Sequence, residues 1–182
     1  MTIILSIKPY YLYLILIGKK TIELRKSFPK RTEWDRTAFL YCTNDKKSFA
    51  KIPKEDQGWM SEKLGKIACK IVVDKFYKFT STENGFKTEG IHSPIALHKS
   101  RLRICQIKSY LKARAGYGWN ISHLILFKPR DITEFAKASF VKGGAEERGG
   151  GISTSSLFPI TSNLISRPPQ SWCYAREVLH GA

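Results

Sequence analysis

The densest set of chemically capable side chains lies between residues 8 and 31. Lys8 precedes Pro9, Lys19 and Lys20 follow an apolar run, and Thr21, Glu23 and Arg25 alternate with Ile22 and Leu24 ahead of Lys26. On an extended strand, positions i, i+2 and i+4 share a face at intervals of roughly 7 Å. A hydroxyl, a carboxylate and a guanidinium therefore stand in one row. A guanidinium forks onto phosphate and a carboxylate accepts from an exocyclic amine, so this row can hold a phosphate and read a base edge at once. The nucleic-acid-binding set read from this stretch is Lys8, Lys19, Lys20, Thr21, Glu23, Arg25 and Lys26. Lys20 and Glu23 are also the candidate catalytic pair. An ammonium desolvated in a cleft and crowded by Lys19 and Arg25 loses proton affinity and becomes a base, with Glu23 as its acid/base partner. The same residue types suit binding without turnover, and the row equally describes a solvated strand face with an ordinary Glu–Arg pair.

Other candidates are thinner. Cys42, Cys69, Cys105 and Cys173 form no C-x-x-C pair, and His92, His98, His123 and His180 share no ligand spacing with them. No metal and no cofactor is expected. Cys42, Cys69 and Cys173 lie in apolar runs and read as small buried thiols. Ser171 lacks the glycines of a nucleophile elbow. Lys99, Arg101 and Arg103 make a solvated basic run. Trp119 and Trp172 read as core, with base stacking as the alternative if one lines a cleft.

The elements that must position the basic row follow from periodicity and punctuation. Residues 2–7 are β-branched and apolar, a buried strand. Pro9 suits the first turn of a helix and Gly18 the position just past its end, bracketing a helix over residues 9–17. Period-two alternation predicts a half-buried strand over residues 21–26 with one polar face. Further strands are expected at 38–43, 65–79 and 118–127, the last stopped by Pro129, with a terminal strand at 171–178. Residues 44–64 read as a loop with a short helix and 80–100 as irregular. Residues 106–115 read as a helix ended by Gly116. The Gly/Ser-rich stretch 143–156 predicts a flexible loop, inside one domain spanning residues 1–182. Too few crossover helices are present for a doubly wound parallel sheet, so a mixed α/β (α+β) barrel or half-barrel is expected.

Composition sets the outer bounds. With 42% hydrophobic residues the chain has material for a sizeable core, which excludes wholesale disorder. The apolar run at residues 10–17 is too short to span a bilayer and lacks a basic segment before it, so a cytoplasmic protein without a membrane partner is expected. Lys plus Arg number 31 against 15 Asp plus Glu, a formal charge of +16. Such a surface attracts polyanions by counterion release. RNA or a nucleotide-like ligand is the expected partner. A basic module that grips a partner protein is the alternative from another class.

The runs ILSIKP from Ile4 to Pro9 and ILIGKKTIELRK from Ile15 to Lys26 resemble the opening signature of ASCH domains, relatives of the PUA domains of RNA-modifying enzymes. Three further segments fit the same pattern: LGKIA from Leu64, GYGWNI from Gly116 and RPPQSWCY from Arg167. The resemblance implies a PUA-like β-barrel with packed helices. It also implies a cleft gathering Lys8, Lys20, Glu23 and Arg25, and RNA or a nucleoside as ligand. Some ASCH proteins look like enzymes: certain small ones hydrolyse acetylcytidine, and others cut RNA. In the amidohydrolase group a Lys is followed three residues later by a Thr, with a distant Glu. Lys20 matches that Lys, Glu23 stands in place of the Thr, and Glu83 or Glu89 is the candidate for the distant acid.

Overall fold

The computed structural model describes residues 2–30, 34–112, 114–137, 165 and 169–177. The predicted loop at 143–156 lies outside the described residues, as do Arg167 and Pro168 of the last motif.

Strand β1, Thr2–Ile7, is buried along its whole length. Helix α1, Pro9–Leu16, starts on its proline and ends where Gly18 takes a φ of 71°. That left-handed turn lets the Lys20 N–H donate back to the Leu14 carbonyl at 2.9 Å, which reverses the chain into strand β2, Ile22–Arg25. Strand β3, Thr37–Cys42, follows, then two short helices, α2 (Lys46–Phe49) and α3 (Lys54–Ser61). The 16-residue strand β4, Ile67–Thr82, leads into β5, Gly85–Glu89. Helices α4, Ser93–Ser100, and α5, Ile104–Leu111, precede the second long strand, β6, Ala115–Arg130. A 3₁₀ turn at Ile132–Glu134, strand β7 (Phe135–Lys137) and strand β8 (Trp172–Glu177) complete the described elements.

The architecture is mixed α/β around one sheet in the order β2-β6-β4-β3-β1-β8-β7, with β5 attached to β4. β1 and β3 run parallel; β1 and β8 pair antiparallel, Ile3 opposite Tyr174 and Leu5 opposite Trp172. The two strands at the extremes of the sequence are thus neighbours. β4 organises the sheet: its first half pairs with β3, its last five residues with β5, and its opposite edge with β6 throughout.

The sheet path ends at β2 and β7, and among the described residues no ladder joins these two, so of the expected barrel or half-barrel the closed form is not realised. β2 has only four residues, hydrogen-bonds to β6 on one edge, and meets β1 on the other side through side chains instead. Three smaller expectations also change. Residues 80–100 are ordered as the end of β4, β5 and α4 rather than irregular. Helix α5, expected to run to residue 115, ends at Leu111 with Lys112 in a left-handed conformation (φ 49°), ahead of Gly116. Pro129 does not stop β6: it falls where the register with β4 jumps from Leu126–Cys69 to Arg130–Ile67, a bulge whose missing N–H costs no ladder bond.

β2 is also buried on both faces rather than one. Ile22 and Leu24 pack with Phe79 under Ala96 of α4 and Ile107 and Leu111 of α5. Glu23 and Arg25 point the other way, but that face is covered by the β1–α1 junction. Alternation is kept, and the polar face is interior.

Candidate functional site

Between the end of β1, β2, α5 and Ser171 lies an open cleft of about 580 Å³. Its floor is an ionic triad whose side chains are nearly out of water: Lys20 is 1% exposed, Arg25 9% and Glu23 11%. Glu23 lies between the two cations, one oxygen 3.2 Å from Lys20 Nζ and the other 3.1 Å from an Arg25 terminal nitrogen.

Lys20 is fully committed. Besides the Glu23 contact, its ammonium donates to the carbonyls of Ile22 and Ser100, each at 2.7 Å. An ammonium has three donors, and all three are used. Ser100 ends α4, so its carbonyl is one of the acceptors a helix terminus leaves unpaired, and a cation there also opposes the helix dipole. Burial lowers the proton affinity of Lys20, Glu23 works against that shift, and Arg25 adds to it. The Tyr11 ring covers the ammonium at 5.5 Å.

Arg25 bridges the open side of the sheet. One terminal nitrogen donates to the Ser6 carbonyl at 2.6 Å and the other to Ser171 Oγ at 3.4 Å. Its Nε, although buried, has no partner among the described residues, and neither does the buried Oγ1 of Thr43, another residue of the cleft wall. Ser6 in turn donates its hydroxyl to the Pro169 carbonyl at 2.6 Å and its N–H to the Ser171 carbonyl at 2.9 Å. The floor therefore has two cations and one anion, and floor and wall each keep one unspent hydrogen-bonding group.

Of the residues read from the sequence, the structure gathers Lys8, Lys20, Glu23, Arg25 and Lys26 around this cleft. Lys8 is at the rim, paired with Asp45 at 3.0 Å. Lys26 is exposed, its ammonium 5.2 Å over the Tyr110 ring. Lys19 and Thr21 do not line the cleft. Lys19 is exposed, with its carbonyl accepting from Arg101 Nε, and the Thr21 backbone joins α4 to β6 through Lys99 and Ile121. Glu83 and Glu89 are exposed at the β4–β5 hairpin and Glu89 pairs with Lys78, so neither joins Lys20. Trp119 is fully buried in the core, where half-buried Trp172 packs against it. Cys42 and Cys69 are buried thiols whose proton affinity burial pushes up to about 12. Among the described residues no three His, Cys, Asp or Glu side chains form a group suited to a metal ion, and no helix is long and apolar enough to cross a membrane.

Sequence reading missed the aromatic walls. Tyr11 and Tyr110 line the cleft, and Gln106 donates to the Tyr11 hydroxyl at 3.2 Å. Burial raises the proton affinity of both phenols; Glu23 adds to the rise at Tyr11, and Arg25 opposes it at Tyr110. Tyr11 was hidden in a helix apolar nearly all round. The available signal was the helical spacing of Gln106 and Tyr110 in α5, which brings both to one side.

No protein-family model matches the sequence, and no curated protein matches it. Solved structures do. The ASCH protein of Zymomonas mobilis superposes with a TM-score of 0.56 at 14% identity, covering 96% of this chain and 87% of that one. A serine-to-alanine variant of that protein matches with a TM-score of 0.54 at 13% identity over 96% and 88% of the two chains. A tyrosine-to-phenylalanine variant matches with a TM-score of 0.54 at 13% identity over 96% and 90%. A likeness that spans nearly the whole of both chains at such low identity concerns the path of the backbone, and by that path this chain has the ASCH fold.

Proposed function

We propose that the cleft binds RNA or a nucleotide-like ligand through a phosphate received at Arg25, and that the protein serves RNA metabolism or its regulation in the cytoplasm. The observation that carries this reading is the buried triad: two cations against one carboxylate, with Arg25 Nε unspent, at the floor of an open cleft. A buried net positive charge is costly unless an anion reaches it. Arg25 is held by Glu23 and by the Ser6 carbonyl, so its guanidinium needs no reordering to meet one. Tyr11 and Tyr110 supply ring faces on the walls, the surfaces on which bases stack. The test is equilibrium binding of nucleosides, 5′-nucleotides and short RNA at two salt concentrations. Nucleotides should bind where nucleosides do not, with affinity falling as salt rises, and Arg25→Gln should weaken every phosphate-bearing ligand. Equal affinity for nucleoside and nucleotide would overturn the reading.

A hydrolytic reading, with Lys20 and Glu23 moving protons against RNA or a modified nucleoside, draws on the lowered proton affinity of Lys20. The same incubations separate it from binding. RNA fragments or deacetylated cytidine would appear with wild type and vanish with Lys20→Met, whereas a binding site returns its ligand intact.

A further inference from the structure

The two edges of β6 are served unequally. One pairs with β4 from Ala115 to Arg130, whereas β2 covers the other only from Tyr117 to Asn120, with one more bond from the Ile121 N–H to the Thr21 carbonyl. Among the described residues, 122–128 therefore have no ladder on that second edge. Leu126, at 67%, is the most exposed large apolar side chain described, and its neighbour Ile125 is 46% exposed. Adjacent strand residues face opposite sides, so both faces of this edge offer apolar surface. Sheet edges are commonly protected by charged side chains or proline. From Ser122 to Phe127 there is neither, on a chain of +16. No residue of β6 lines the cleft.

We propose that this edge joins two copies of the chain, paired antiparallel through residues 122–128 about a two-fold axis at Ile125, so that the sheet runs unbroken from one copy into the other. A two-fold pairing that keeps each sheet face continuous sets residues of like face opposite one another, so it must centre on a residue. Centred on Leu124, it would need Asn120, which already pairs with Ile22 of β2. Centred on Leu126, it would set His123 against Pro129, which has no N–H for the ladder. Centred on Ile125, the whole open stretch pairs: Leu124 of each copy faces Leu126 of the other, His123 faces Phe127, and Ser122 faces Lys128. Charge favours a second copy as the occupant. An acidic partner would be drawn to the lysines and arginines elsewhere on the surface. The uncharged strip is where two basic chains can meet without setting like charges face to face.

The experiment is sedimentation equilibrium on the nuclease-treated full chain. The mass should pass reversibly from 20.8 kDa to twice that value at micromolar concentrations, since a contact of this size lies at the weak end of specific interfaces. Raising salt from about 0.1 to 0.5 M should strengthen association several-fold by screening the repulsion between copies. Association through bound nucleic acid would instead weaken. Ile125→Lys sets two like charges on the axis and should abolish the heavier species while keeping the monomer's Tm, because this side chain already stands half in water. Crosslinking reads the register in a Cys105→Ser background, which removes an exposed thiol. Ile125→Cys places thiols opposite each other at a Cα separation of about 4.5–5.5 Å, which suits a disulfide. Diamide, taking up the two protons and two electrons, should then give a covalent dimer. Ser122→Cys should not crosslink alone but should do so when mixed with Lys128→Cys. A single 20.8 kDa species at every concentration and salt overturns the proposal, as does equal crosslinking by Ile125→Cys and Ser122→Cys. A monomer whose amides at 122–128 resist hydrogen exchange would show that the chain covers its own edge, and overturns it too.

Discussion

Glu23→Gln is the sharpest test of the ionic floor. The change keeps shape and volume but removes the one negative charge lying 3.2 Å from Lys20 and 3.1 Å from Arg25. A glutamine must also turn its amide N–H₂ toward one of the two cations, so one acceptor is lost outright. Both cations stay largely buried, at 1% and 9% exposure, so solvent compensates poorly for the lost partner. Breaking a buried pair by removing one member costs about 3–5 kcal/mol, because the surviving charge is left uncompensated. For a chain of this size each kcal/mol shifts Tm by about 2–4 °C, so a fall of roughly 6–20 °C is expected. Urea titration of wild type and variant measures the free energy, and scanning calorimetry measures the shift. Adding Lys20→Met to Glu23→Gln removes an unpaired cation, so the double variant should lose less than the sum of the singles, with a coupling of about 0.5–3 kcal/mol. A loss below about 1 kcal/mol with additive singles is the behaviour of an exposed pair and would refute the reasoning.

Further outcomes follow from other parts of the molecule. The folded state lowers the proton affinity of Lys20, chiefly by burial, so the unfolded chain holds this proton more tightly. This site therefore contributes least stability below its folded pKa and more as pH rises toward the ordinary lysine value of 10.5. Urea midpoints across that window should show wild type gaining on Lys20→Met, and a gap that narrows with rising pH would contradict it. Gly118→Ala should cost about 1–3 kcal/mol of overpacking, because a Cβ there falls 2.5 Å from the Phe79 ring and 2.8 Å from Ile22 Cγ2. Gly58→Ala, inside α3 with nothing within 4 Å, should stabilise by up to about 1 kcal/mol; equal effects at the two glycines in denaturant melts would be inconsistent with this packing.

Much of the fold was legible where chain punctuation and periodicity agree. Pro9 and Gly18 bracket α1, the β-branched run at the start is β1, and Trp172 and Tyr174 face the main core with Cys173 on the other side. Residues 80–100 were not legible because β5 carries only one large apolar side chain, Phe86, and α4 is covered through Ala96 rather than through an apolar stripe. The burial of Glu23 and Arg25 was hidden for a deeper reason. Alternation tells which side chains share a face of a strand, not what the rest of the molecule lays over that face. The covering pieces, Ser6, Tyr11 and Ser171, come from three other places in the sequence. Lys20 could be singled out by type and spacing, but its hold on the end of α4 depends on a residue 80 positions away.

The stitch between Ser6 and Pro169 spans 163 residues, and that between Arg25 and Ser171 spans 146. This has a consequence for the protein's birth. At about 5–20 residues per second, a ribosome needs on the order of ten to thirty seconds after making β1 before it makes β8. Through that interval one edge of a strand that ends up wholly buried waits unpaired, the kind of edge that invites pairing with other chains. The guanidinium meanwhile lacks the serine that helps to aim it. The nascent chain thus cannot complete its cleft until its last described strand is made, and both the finished cleft and the protection of β1 arrive together, with the addition of a single late strand.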